Sequence, residues 1–141
     1  MKVAASVSLV ICAAALASAP AKGQEAEAVS QAKAAATSWL ALVDAGNYAA
    51  SWQQTAGLFQ SAISEQSWVS AVQATRASLG ALQSRQVASA TYTRTLPGAP
   101  PGEYVFIKYT SKFAGRASAV ETVTPMKEKN DSWRVLGYYV Q

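Results

Sequence analysis

Beyond residue 23 the chain carries eight carboxylates: Glu25, Glu27, Asp44, Glu65, Glu103, Glu121, Glu128 and Asp131. Six of them stand where helix starts, loops or turns are expected, and solvation accounts for an acid there. Glu121 is different, because it interrupts an extended stretch between Val120 and Thr122. In mid-strand an acid either faces water or has a partner. Buried, its pKa would rise, which suits a general base. Paired across strands with Lys108, Lys112 or Arg134, it would be an ion pair. Asp44 closes the first helical stretch, from which its side chain can reach a cavity or bond nearby turn amides. Tyr92, Tyr104, Tyr109, Tyr138 and Tyr139 can donate hydroxyl hydrogens to a pocket or simply fill half-buried strands. A carboxylate with a tyrosine is the minimum for metal-free proton transfer of the isomerase or dehydratase type, which needs a base and an acid on opposite sides of the substrate.

Other chemistry is excluded by what is missing. There is no histidine among the 141 residues, and the one cysteine is Cys12. The usual base near neutral pH and the commonest metal ligand are absent, so no cofactor or metal is expected and a Ser-His-Asp or Cys-His mechanism is ruled out. Arg116, after Phe113-Ala114-Gly115, is either a solvated turn residue or a bidentate grip for a ligand carboxylate. Trp39, Trp52, Trp68 and Trp133 fall about one to each major element, as core anchors do; a ligand-stacking role, Trp52 included, is the alternative.

The elements that must position these groups follow from periodicity. Glu25 to Ala45 reads as one helix, with Ala32, Ala35, Ala36, Trp39, Leu42 and Val43 at three- and four-residue steps and Gly46 suited to its cap. A short second helix runs from Tyr48 to about Thr55, and Leu58, Phe59 and Ile63 continue an apolar pattern as a further helical turn. Ser64 caps a third helix whose buried stripe is Trp68, Val69, Val72 and Leu79, with Gly80 as the stop. The period then changes to two. Strands are expected over Gln86–Thr95, Glu103–Phe113, Ala119–Met126 and Trp133–Val140, with Leu96 to Gly102 as a proline- and glycine-rich loop and Asn130-Asp131 in a hairpin turn. Helices followed by antiparallel strands make an α+β domain: three N-terminal helices packed on a four-stranded antiparallel sheet, with a conical pocket between the layers.

The first residues carry an address. Lys2 precedes an uncharged, mostly apolar run from Val3 to Ala19, and small residues follow at Ala17, Ala19, Ala21 and Gly23. That order is an export signal, with cleavage expected after Gly23 in preference to Ala19, where Pro20 would follow the cut. The expected organisation is a signal peptide over 1–23 and a single domain over 24–141, periplasmic or secreted. The remaining 118 residues hold ten basic and eight acidic side chains with no basic run, which argues against nucleic acid as a partner. Cys12 leaves with the signal, so no disulfide is available to the domain.

Four segments carry a family resemblance: Trp39-Leu40-Ala41-Leu42-Val43-Asp44-Ala45-Gly46-Asn47-Tyr48-Ala49-Ala50-Ser51-Trp52, Leu96-Pro97-Gly98-Ala99-Pro100-Pro101-Gly102-Glu103-Tyr104-Val105, Ala119-Val120-Glu121-Thr122-Val123-Thr124, and Trp133-Arg134-Val135-Leu136-Gly137-Tyr138. In these the chain resembles an exported bacterial domain-of-unknown-function family, number 4019, within the nuclear-transport-factor-two-like (cystatin-like) superfamily. The resemblance implies helices packed into a curved, cone-like sheet and an exported location, and it implies no activity. The expected function is therefore a non-catalytic domain that binds a protein partner or a small apolar ligand, with no membrane association after signal cleavage. Glu121, Asp44, Tyr104, Arg116 and Trp52 are the candidate ligand-binding residues. A metal-free acid–base enzyme and a self-associating structural domain, as a homodimer through the sheet, are the alternatives.

Overall fold

The computed structural model describes residues 22–141. Of the expected signal peptide over 1–23, residues 1–21 lie outside the described residues, while Lys22 and Gly23 are the first two residues of a helix. That helix, α1 (Lys22–Asp44), is followed by α2 (Tyr48–Gln53), α3 (Gly57–Ala62), α4 (Glu65–Leu79), β1 (Leu82–Thr93), β2 (Tyr104–Phe113), β3 (Arg116–Lys127) and β4 (Trp133–Val140). The fold is α+β, with the helices first and a four-stranded antiparallel sheet in the sequential order β1-β2-β3-β4. Among the described residues the helices number four rather than three. Leu58 and Phe59 belong to a separate short helix, α3, because Ala56 is extended (φ −63°, ψ 150°) and breaks the run after α2, while Ile63, also extended (φ −140°, ψ 135°), ends it before Ser64. Strand β1 begins at Leu82 and β3 at Arg116, each earlier than the apolar alternation announces, since pairing with β2 carries the ladder through polar residues.

The long helix lies across the sheet. Its buried residues are Ala28, Ala32, Ala36, Trp39, Leu40 and Val43, and the alanines let its backbone approach the strands closely. Gly46 (φ 79°) ends it as expected. In α4, Ser64 Oγ accepts a hydrogen bond from the Ser67 amide, and the buried stripe runs Trp68, Val72, Arg76, Leu79. Strand β2 turns Val105, Ile107, Tyr109, Ser111 and Phe113 inward and leaves Lys108, Thr110 and Lys112 exposed. At its start both faces are covered: Tyr104 packs with Ala56 and Met126 in a second small core, under Leu96, Ala99 and Leu136. The proline-rich loop thus folds back on the outer face instead of crossing free space.

The region between helices and sheet, where a conical pocket was expected, is filled. Trp39 and Trp68 lie 5.8 Å apart by ring centroids, and Trp39 stacks edge-on with Tyr138 at 5.3 Å, as Phe59 does with Trp68 at 5.3 Å. Both indoles are satisfied: Trp39 Nε1 donates to the Ser51 carbonyl and Trp68 Nε1 to Ser51 Oγ, each at 2.9 Å. Among the described residues no helix is long and apolar enough to cross a membrane.

Candidate functional site

The two singled-out carboxylates meet in one place, at the end of the molecule where α1 and α4 stop. Asp44 is the last residue of α1, Arg76 lies one turn before the end of α4, Arg85 is near the start of β1, and Glu121 is in the middle of β3. Glu121 stands opposite Tyr109 in the β2–β3 ladder, and Arg85 stands opposite Ser111 in the β1–β2 ladder. The two pairs are neighbours on the inner face, so the Arg85 side chain crosses β2 to reach β3.

The geometry of the cluster is tight. Arg85 Nε donates to Glu121 Oε1 at 2.7 Å and one of its terminal nitrogens to Oε2 at 3.0 Å. The same guanidinium holds both oxygens of Asp44, at 2.7 and 3.0 Å. Arg76 donates to Asp44 at 2.7 Å and to the Tyr138 hydroxyl at 3.4 Å, and lies 3.9 Å from Glu121. Glu121 is fully buried and also accepts from Ser111 Oγ at 2.5 Å and Tyr138 Oη at 2.6 Å. Each guanidinium lies near an aromatic ring, Arg76 over Phe113 and Arg85 over Tyr109, at 5.0 and 5.9 Å to the centroids. Two cations and two anions close a neutral quartet.

Electrostatics follow the geometry. Burial pushes the Glu121 pKa up, but the hydrogen bonds from Arg85, Ser111 and Tyr138 outweigh it and hold the carboxyl below its ordinary value. Burial works in the same sense on Asp44, and the bonds from Arg85 and Arg76 again win, leaving it lowered. The Tyr138 phenol is pushed well above its usual value, first by burial and then by the Glu121 charge it faces. Glu121 is therefore an ionised acceptor with its lone pairs used, and Tyr138 stays protonated. Neither is poised to exchange a proton near neutral pH.

The partners expected for Glu121 are corrected. Lys108 and Lys112 point out of the opposite face of β2, and Arg134 bonds the Gln53 carbonyl at 3.3 Å, whereas Arg85 and Arg76 do the pairing. Asp44 bonds arginines rather than turn amides. The other candidates lie apart from this cluster. The Tyr104 hydroxyl is spent on the Pro100 carbonyl, and Trp52 is half-buried with Nε1 on the Ile63 carbonyl at 2.9 Å. Arg116 is exposed at the β2–β3 turn. The sequence did hold a signal for the missed partner on α4: position 76 lies four residues after Val72 and three before Leu79, on the apolar stripe.

Open space lies elsewhere. A groove of about 720 Å³ runs between α3, the 96–102 loop and the β3–β4 hairpin, with Leu58, Pro100, Pro101, Tyr104 and Met126 and the charged Glu128, Lys129 and Arg134 among its lining. A second cleft of about 510 Å³ separates the first turns of α1 from the opposite end of the sheet. Among the described residues no group of three acidic, cysteine or histidine side chains could hold a metal ion.

A family model described as a protein of unknown function (DUF4019) matches residues 35–138 and takes in every member of the charge cluster. No curated protein and no solved structure matches the chain.

Proposed function

The chain belongs to that family, DUF4019, and from this premise we propose that it is an exported, non-catalytic domain that binds a small, largely apolar ligand with an anionic end in the groove beside α3. The observation that carries the reading is the engagement of both candidate carboxylates by arginine. Glu121 and Asp44 together receive four short hydrogen bonds from Arg85 and one from Arg76, so the acid–base reading loses its base. The pocket it would need between the layers is occupied by Trp39, Trp68 and Tyr138. The groove supports binding because it has the size of a small-molecule site, apolar side chains at Leu58, Pro100, Pro101 and Met126, and the cations Lys127, Lys129 and Arg134 in its lining against one carboxylate, Glu128, which accepts from the Gly57 amide. Among the described residues neither Lys129 nor Arg134 has a carboxylate within ion-pair distance. Self-association through the sheet is the alternative: Lys108, Thr110 and Lys112 on the outward face of β2 oppose it, while the exposed Val120 of β3 and Tyr139 of β4 on the same face favour it.

Titration with dodecanoate, followed by amide chemical shifts, tests the reading. Shifts confined to Leu58, Gly102 and Lys127–Asn130, and lost in Leu58→Glu, support it. Leu58 is 42% exposed, so the substitution leaves the core intact. An unperturbed spectrum, or shifts at the Glu121 cluster instead, overturns it.

A further inference from the structure

The cleft at the start of α1 has a different chemistry from the groove. Two half-buried aromatic side chains, Tyr92 of β1 and Trp133 of β4, line it, and the planar polar side chains of Glu27, Gln31 and Glu103 stand with them. These polar groups are held in position by one another. Trp133 Nε1 donates to Gln31 Oε1 at 3.1 Å, and Gln31 Nε2 donates to Glu27 Oε1 at 2.9 Å. On the other side Tyr92 Oη donates to Glu103 Oε1 at 3.1 Å, and Lys127 Nζ lies 3.5 Å from Glu103 Oε2. The charges balance, with Glu27 and Glu103 against Arg94 and Lys127. Balanced charge gives no net pull on either an anion or a cation, and an apolar guest would strip water from the polar atoms that these internal bonds leave free.

We propose that this cleft binds a neutral saccharide. A sugar ring has apolar C–H faces that pack on aromatic rings and a girdle of hydroxyls that both donate and accept. Vicinal hydroxyls match planar carboxylate, amide and guanidinium groups, each of which offers two polar atoms at a fixed separation. Tyr92 and Trp133 supply the apolar surface, Glu27, Gln31 and Glu103 supply donors and acceptors whose orientation is set before binding, and Arg94 adds a guanidinium to the lining. The volume of about 510 Å³ accommodates one or two sugar units of a longer chain.

The test is a chemical-shift titration of the purified protein with three neutral probes: triacetylchitotriose, maltotriose and cellotriose. At least one is expected to move the Trp133 indole and Gln31 side-chain amide signals, saturating with a Kd of about 1 mM or tighter. Gln31→Ala and Arg94→Ala change exposed positions. Each should weaken that Kd about tenfold at an unchanged unfolding midpoint. The corresponding monosaccharide separates the sources, since weaker binding of the single unit assigns the cleft to a polymeric glycan and equal binding to a free sugar. Silence of the Trp133 and Gln31 signals with all three probes overturns the proposal. So do shifts that persist unchanged in both variants. The groove beside α3 is a separate surface, so neither result depends on the dodecanoate titration.

Discussion

Glu121 shows how its neighbours set the charge state of a buried acid. An isolated buried carboxylate protonates, whereas one with a guanidinium on both oxygens stays charged, and the cost of its desolvation is offset only while every partner remains. Glu121→Gln leaves Arg85, itself partly buried, beside a neutral amide and is expected to cost about 3 kcal/mol, read as a lower urea midpoint at constant m-value. Tyr109 is the internal contrast. It faces Glu121 across the ladder and is 3% exposed, yet its hydroxyl has no hydrogen-bond partner among the described residues. Tyr109→Phe keeps the ring near Arg85 and removes an unsatisfied polar atom, so its midpoint should stay within about 0.5 kcal/mol of the parent or rise. A large loss in Tyr109→Phe would mean that the hydroxyl has a partner after all. Glu121 and Asp44 were legible as unusual acids from sequence position. Arg85 was not legible as their partner, because it falls just before the strand expected from Gln86, and only the register places it in β1 opposite Ser111.

At the scale of elements, the junction of α4, β1 and the β2–β3 turn holds the cluster in place. Gly80 ends α4 with φ 76° and ψ −165°, a region open to glycine, and its amide still closes the last turn on the Arg76 carbonyl. The β2–β3 turn then docks onto this end. The Gly115 amide donates to the Leu79 carbonyl at 2.7 Å, and the Ala114 amide donates to the Ala81 carbonyl at 2.8 Å. A Cβ on Gly115 would lie 2.8 Å from the Ser78 carbonyl oxygen and 2.9 Å from that of Leu79, both backbone atoms without freedom to move aside. Gly115→Ala should therefore force the turn off α4 and lower stability by about 2 kcal/mol, in the range of backbone strain and overpacking. The check is thermal unfolding, together with weakened hydrogen-exchange protection at the Ala114 and Gly115 amides. Sequence punctuation located this turn and the Gly80 stop correctly, since glycine marks both. That the two glycines serve one contact was hidden, because they lie far apart along the chain.

For the whole molecule the cluster makes stability sensitive to acid. Asp44 and Glu121 have folded pKa values below their ordinary values of 3.8 and 4.5. The unfolded chain therefore binds protons first as pH falls. The stability that the pair supplies is fully present above the ordinary carboxylate range and is lost as pH drops through that range towards the lower folded values. With no histidine in the chain, the unfolding midpoint should be flat between about pH 5 and 8 and then fall steeply, and more shallowly in Glu121→Gln. An equally steep acid decline in that variant would show that other carboxylates carry the effect. The sequence by itself determined the class of fold, the helix-then-strand order, most element boundaries and the absence of histidine chemistry. These depend on local periodicity, turn residues and composition, which are properties of neighbours along the chain. Only the tertiary structure decided that Asp44, Arg76, Arg85 and Glu121 form one neutral cluster, that tryptophans fill the space between the layers, and that the open clefts lie at its margins. Those outcomes depend on strand register and layer packing, which join residues distant in sequence and leave no periodic trace in any one segment.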